Sequence, residues 1–235
     1  MATLKSQMRS SVDSNFTYPA EYNIKPIAEQ IAILSELFDL DGIKALAFIQ
    51  NLPDLPEGAE GCFAIPRWQS IAKTYGEALK KAVTLIAKNR KFKDYFEGKF
   101  SKEYFRQTMR TMTMFTKLQL QQESDIVIVP GQFGLRHRGK SPRFALETLA
   151  KEEFALSSFH VACMLLSHPK REKDIPGAYS QLHAYCAGDR FCYNADGQYD
   201  RIPSFFGVAN ILHFGGDNWM YTVCDRFGVA TGFVM

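Results

Sequence analysis

Val127-Ile-Val-Pro-Gly-Gln-Phe-Gly-Leu-Arg-His-Arg-Gly-Lys-Ser-Pro-Arg143 decides how this chain is read. Ile126–Val129 is β-branched throughout, which predicts a strand buried on both faces. It empties into a loop with Gly131, Gly134 and Gly139. No Asp or Glu occurs from Ile126 to Leu146, so Arg136, His137, Arg138, Lys140 and Arg143 lack a local counter-charge. A segment of this kind meets an anion: a phosphate, a carboxylate, or an acidic surface of the same protein.

Phosphate-binding loops turn backbone N–H groups inward, which needs glycines, and place a helix start and a cation nearby. Gly134-Leu-Arg-His-Arg-Gly139-Lys-Ser141 satisfies the pattern G-x-x-x-x-G-K-S and follows a strand-like run, as that motif requires. Three features oppose the match. Pro142 directly follows the Ser. Arg136-His137-Arg138 crowds the loop with bulky cations. The rest of the chain reads as hairpins, and Ala184-Tyr-Cys-Ala-Gly-Asp189 is a poor magnesium-binding strand end. The candidate anion-binding set is Gln132, Arg136, His137, Arg138, Lys140, Ser141 and Arg143.

A chain of 235 residues, 46% hydrophobic and 23% charged, suits one large domain or two small ones with a real core. The longest apolar runs fall far short of the ~20 residues that span a bilayer. The N-terminus carries no apolar signal-peptide core, so a cytoplasmic, soluble protein is expected. Cys62, Cys163, Cys186, Cys192 and Cys224 are odd in number and irregular in spacing, which predicts free, buried thiols. The histidines form no HExxH motif. His160 and Cys163 share a helical face, but no full metal set is evident, and no cofactor is expected. Asp189, Asp196 and Asp200 read as turn residues.

Charge is unevenly placed. Asp13–Glu60 holds nine acids and two bases, a net −7; Arg67–Lys117 holds thirteen bases and four acids, a net +9. Either the halves cancel each other or the basic half meets an external polyanion.

Residues 1–22 read as a flexible arm, 23–121 as a helical part, and 122–235 as an α+β part packed with it as one domain. Helices are predicted after Pro26 and from Asp41 to Gln50, and Cys62–Pro66 reads as an edge strand. Another helix runs from Trp68 to a basic cluster at Lys88–Lys93. Ser101 is read as the cap of a helix over 102–121, with Phe105, Met109 and Met112 buried and Lys102, Arg106 and Arg110 on another face. Glu153–Leu166 reads as helical. Gly215–Asn218 reads as a hairpin turn, and Gly228–Val234 as a last strand. The fold class is α+β, with a helical N-terminal half and a mostly antiparallel sheet in the C-terminal half. Cations at Arg90, Lys91, Lys93, Lys102, Arg106 and Arg110 interleave with aromatics from Phe92 to Phe105, a pattern used by nucleic-acid surfaces.

Glu60-Gly-Cys-Phe-Ala-Ile-Pro-Arg-Trp68, Val129–Ser141, Cys186-Ala-Gly-Asp189 and Gly228-Val-Ala-Thr-Gly-Phe233 together resemble a family of uncharacterised bacterial proteins across roughly residues 60–235. The resemblance implies a bacterial-type soluble domain and carries no activity with it. The leading expectation is therefore binding of an anionic partner, above all nucleic acid, through the Gly/Arg loop and the basic helix. An enzyme acting on a phosphate-bearing small molecule or nucleotide at the same loop is the second. A structural protein with charge-complementary halves, leaving room for a homo-oligomer, is the third.

Overall fold

The computed structural model describes residues 10–172 and 182–235. In chain order the elements are α1 (Ile27–Phe38), α2 (Ile43–Phe48), β1 (Gly61–Pro66), α3 (Tyr75–Asn89), β2 (Phe92–Asp94), β3 (Phe105–Gln107), α4 (Met109–Gln122), β4 (Ile126–Gln132), α5 (Pro142–Glu147), β5 (Glu153–Ala155), α6 (Ser158–Ser167), β6 (His183–Tyr185), β7 (Asp189–Phe191), β8 (Arg201–Val208), β9 (Ile211–Trp219), β10 (Phe227–Val229) and β11 (Thr231–Phe233). No helix among the described residues is long and apolar enough to cross a membrane.

The chain is α+β, but its N-terminal half is not helical alone: strands begin at Gly61, and β1, β2 and β3 enter sheets between the helices. One sheet has four antiparallel strands in the order β1-β4-β11-β5. Its strand β4 is buried at every position, as four β-branched residues in a row demand. The open edges of β1 and β4 are closed by side-chain amides. Gln30 on α1 donates to Cys62 O and accepts from Ala64 N; Gln122 on α4 donates to Ile128 O and accepts from Ile128 N. Each amide thus mimics a neighbouring strand where none is present.

The second sheet has seven strands centred on β8. β9 pairs with one side of β8 and carries β2 in parallel; β6 and β7 pair with β8 as well, and carry β10 and β3. Alternation sorts its aromatic residues onto opposite faces. Phe96, Phe105, Phe191, Phe205 and Phe214 interlock in the core with ring separations as short as 4.2 Å. The next residues in the pattern, His183, Phe206, His213 and Tyr95, stack as a row at 5.1 to 5.6 Å on the other face. At Ala230 the chain crosses from the large sheet to the small one, accepting from Leu156 N and donating to Tyr185 O.

Several sequence expectations shift. The helix expected over 102–121 begins at Met109, because Thr108 caps it by accepting from Thr111 N, while Phe105 is drawn onto β3 by the phenylalanine cluster. The register therefore rotates. Met109 and Met112 are 73% and 39% exposed, and Met114, Phe115 and Leu118 form the buried stripe. α3 starts at Tyr75 under a Thr74/Glu77 capping box, not at Trp68. Glu153–Ala155 is a strand, and a Ser157/His160 capping box starts α6 after it. The β8–β9 hairpin turns at Ala209-Asn210, both at positive φ, instead of at Gly215–Asn218. Gly216 lies within β9 because a Cβ there would meet the Phe96 ring at 2.6 Å. The last strand is split into β10 and β11.

Candidate functional site

The Gly/Arg loop is tied down from within. The N–H groups of Gly134, Leu135, His137, Arg138, Gly139, Lys140 and Ser141 donate to Gln132 Oε1, Tyr18 OH, Gly134 O, Leu135 O, Phe227 O, His137 O and Ser10 O. These are the donors a phosphate would need, and the protein's own oxygens hold them. The glycines serve close chain approach. A Cβ on Gly139 would lie 2.2 Å from Val12 O, and one on Gly134 would lie 2.9 Å from Gly228 O. The described part of the N-terminal arm runs beside the loop, with Ser11 bridged to Lys140 and Val12 N donating to Gly139 O. Tyr18 OH donates to Glu60 at 2.6 Å.

The missing counter-charge arrives from β5. Glu153 is fully buried, and its Oε1 lies 2.8 Å from His137 Nε2, 2.7 Å from Thr231 Oγ1 and 3.4 Å from Arg136 Nε. Its Oε2 accepts from Ala150 N. Burial alone would raise this carboxyl, but the donors from His137 and Thr231 outweigh it and bring the pKa down to about 2. Gln132 is buried and donates to Val229 O and Thr231 Oγ1. Ser141 caps α5 by accepting from Phe144 N. Arg138 donates to Phe16 O, and Arg143 pairs with Glu147 while lying 5.2 Å from the centre of the Tyr221 ring. Lys140 Nζ lies 3.3 Å from both His137 Nδ1 and Thr148 Oγ1.

The second predicted region, the nucleic-acid-binding set, is split between roles. Arg110, in the first turn of α4, donates to the carbonyls of Ala150, Lys151 and Glu153, so it is an internal tie. Arg90 closes α3 and donates to Pro169 O. The others point outward. Lys91, Lys93, Lys102 and Arg106 are exposed, and their segment sets cations over tyrosine rings. Lys93 Nζ lies 4.6 Å from the Tyr95 centroid, the Arg106 guanidinium 4.1 Å from that of Tyr199, and Lys99 Nζ 5.5 Å from that of Tyr193. Arg201 joins the Tyr193 ring at 5.3 Å. Tyr95 and Tyr193 remain 43% and 52% exposed. The phenylalanines interleaved in the sequence, Phe96, Phe100 and Phe105, face the core instead.

Two sites were not legible from local sequence. Glu153 lies outside the acid-free stretch whose charges it balances. Asp189 is not a turn residue but a buried strand residue at the start of α6. Its Oδ2 accepts from Tyr75 OH at 2.6 Å and Ser158 N at 2.7 Å, and burial pushes its pKa up to about 6. The five thiols stand unpaired with one another, and the described residues hold no cluster of three His, Cys, Asp or Glu side chains fit for a metal. Comparison with protein-family profiles, curated proteins and solved structures finds no match for this chain.

Proposed function

We propose that this protein binds a polyanion, most directly single-stranded nucleic acid, on the surface built by residues 91–106 with Tyr193, Tyr199 and Arg201. The observation that carries this reading is the set of cations seated over outward-facing tyrosines. Lysine and arginine neutralise phosphates, and a solvent-exposed aromatic ring offers stacking surface to a base whatever its identity. A core role would not leave these rings half in solvent. The surface rests on a stiff base, because the strands under Tyr95 and Arg106 are backed by the interlocked phenylalanines. The Gly/Arg loop supports the reading less directly, since its N–H groups are used within the protein. The same fact weakens the alternative of nucleotide chemistry at that loop.

Anisotropy of labelled single- and double-stranded oligonucleotides tests the reading. Tyr95→Ala and Tyr193→Ala should each weaken single-strand binding by about 1–3 kcal/mol, the worth of one stacked base. Full retention of affinity in both variants, or no binding at low salt, would contradict it.

A further inference from the structure

We infer that Lys140 is a nucleophilic amine that forms an imine with a small carbonyl compound bearing a phosphate or carboxylate group. This chemistry follows from the loop geometry and stands apart from nucleic-acid binding.

The buried Glu153 carboxylate can only accept, so His137 Nε2, 2.8 Å away, carries a hydrogen toward it. That leaves His137 Nδ1 facing Lys140 Nζ at 3.3 Å. One proton lies on this line. Passage of that proton from Nζ to Nδ1 turns the ammonium into a free amine, with Glu153 holding the far side of the ring. A nucleophile, a base in contact with it, and a third group orienting that base are the parts of an activated-nucleophile site. No carboxylate among the described residues pairs with Nζ; its other neighbours are the neutral Thr148 hydroxyl at 3.3 Å and the Phe144 ring, whose centre lies 5.7 Å away. Partial burial and then the neighbouring Arg136 push its pKa down, against a smaller opposing pull from Glu153. Lys140 is nonetheless half-exposed and open to a reagent. The partly exposed Arg136 guanidinium, whose field Lys140 feels, is placed to favour an anionic group on the carbonyl compound.

The chemistry balances without a further reagent. The ammonium passes its proton to His137 Nδ1, and the Nζ lone pair attacks the carbonyl carbon. The attacking nitrogen gives one of its two remaining protons to the carbonyl oxygen, which becomes the carbinolamine hydroxyl. That hydroxyl leaves as water with the proton returned from His137, and a C=N bond remains.

The test uses pyridoxal 5′-phosphate as probe on the full chain, with borohydride reduction and peptide mass mapping. Lys140 should be labelled roughly tenfold or more faster than the exposed Lys88 and Lys117, as an activated amine requires. Its labelling should titrate with a midpoint below the ordinary lysine value of about 10.4. Pyridoxal without the phosphate should label it more slowly, and His137→Gln should remove its advantage. Should that variant fail to fold, the pH profile of the unaltered protein decides. Labelling of Lys140 no faster than the other lysines, or a midpoint at or above the ordinary value, overturns the proposal.

Discussion

The chain has two cation-rich regions, the loop of residues 130–143 and the segment of residues 88–106, and the fold treats them oppositely. In the loop, backbone donors and most cations are spent on internal oxygens, with Glu153 at the centre. In the segment, cations sit over tyrosines that still face solvent. A local lack of acids therefore does not identify an external partner. Whether an acid returns from elsewhere in the fold decides it, and only the fold supplies that answer.

Removing the loop's hub should have the largest effect. Glu153→Ala strands His137 and Arg136 without their carboxylate, and breaking such a buried pair costs about 3–5 kcal/mol. Lys93→Ala, on the open surface, should stay within about 0.5 kcal/mol. Urea denaturation of both variants gives the values. A Glu153→Ala loss no larger than that of Lys93→Ala would mean that the loop is not internally tied.

Acid acts on the loop's hub and on buried groups around it. Burial lowers the pKa of His160 to about 3, and those of His168 and His183 to about 4 and about 3. A base with a lowered folded-state pKa contributes stability in full above its unfolded value, near 6.5, and loses it as pH falls toward the folded value. Glu153, held near 2, loses its contribution in the same direction below its unfolded value of about 4.3. For His160 alone the loss reaches about 3 kcal/mol by pH 4. Asp189 runs the other way: with its folded value raised to about 6, its contribution is greatest below the unfolded value of about 3.9 and is lost as pH rises through 6. His160→Gln keeps a side chain able to complete the capping box with Ser157 but does not titrate. It should flatten the acid limb of the stability profile, and an unchanged limb would contradict the assignment.

A narrower comparison runs along α4. Phe115→Ala should cost about 3–5 kcal/mol, whereas Met109→Ala should stay within about 0.5. On the register expected from the sequence, Met109 would be core and its truncation would cost about 2–5 kcal/mol. The two outcomes separate the registers in one thermal-melt series.

That case shows where the sequence was legible. Ile126–Val129 was readable as a buried strand because β-branched runs admit few alternatives, and α1 because Pro26 and a clear apolar period mark it. The start of α4 is ambiguous in the sequence because Ser101 and Thr108 both offer caps, and Phe105 packing against rings from residues 96, 191 and 214 decides between them. The β8–β9 turn is hidden for a similar reason: Gly215-Gly216 has the composition of a turn, but Gly216 is there to leave space for the Phe96 ring. At the candidate sites, the cations of the 91–106 surface were legible as a run. Their tyrosine partners Tyr193 and Tyr199 come from nearly a hundred residues away and carry no local signal.

On the function we propose, the 91–106 surface, and not the loop, meets the polyanion. The direct test is anisotropy with a labelled single-stranded oligonucleotide across a salt series, for Lys93→Ala/Arg106→Ala against Arg138→Ala/Arg143→Ala. Every phosphate left without its cation lowers the slope of log affinity against log salt by about 0.7 for a single strand. The first pair should therefore weaken binding and lower the slope by about 1.4, and the second should leave the slope where it was. The reverse pattern would place the partner on the loop and contradict the account.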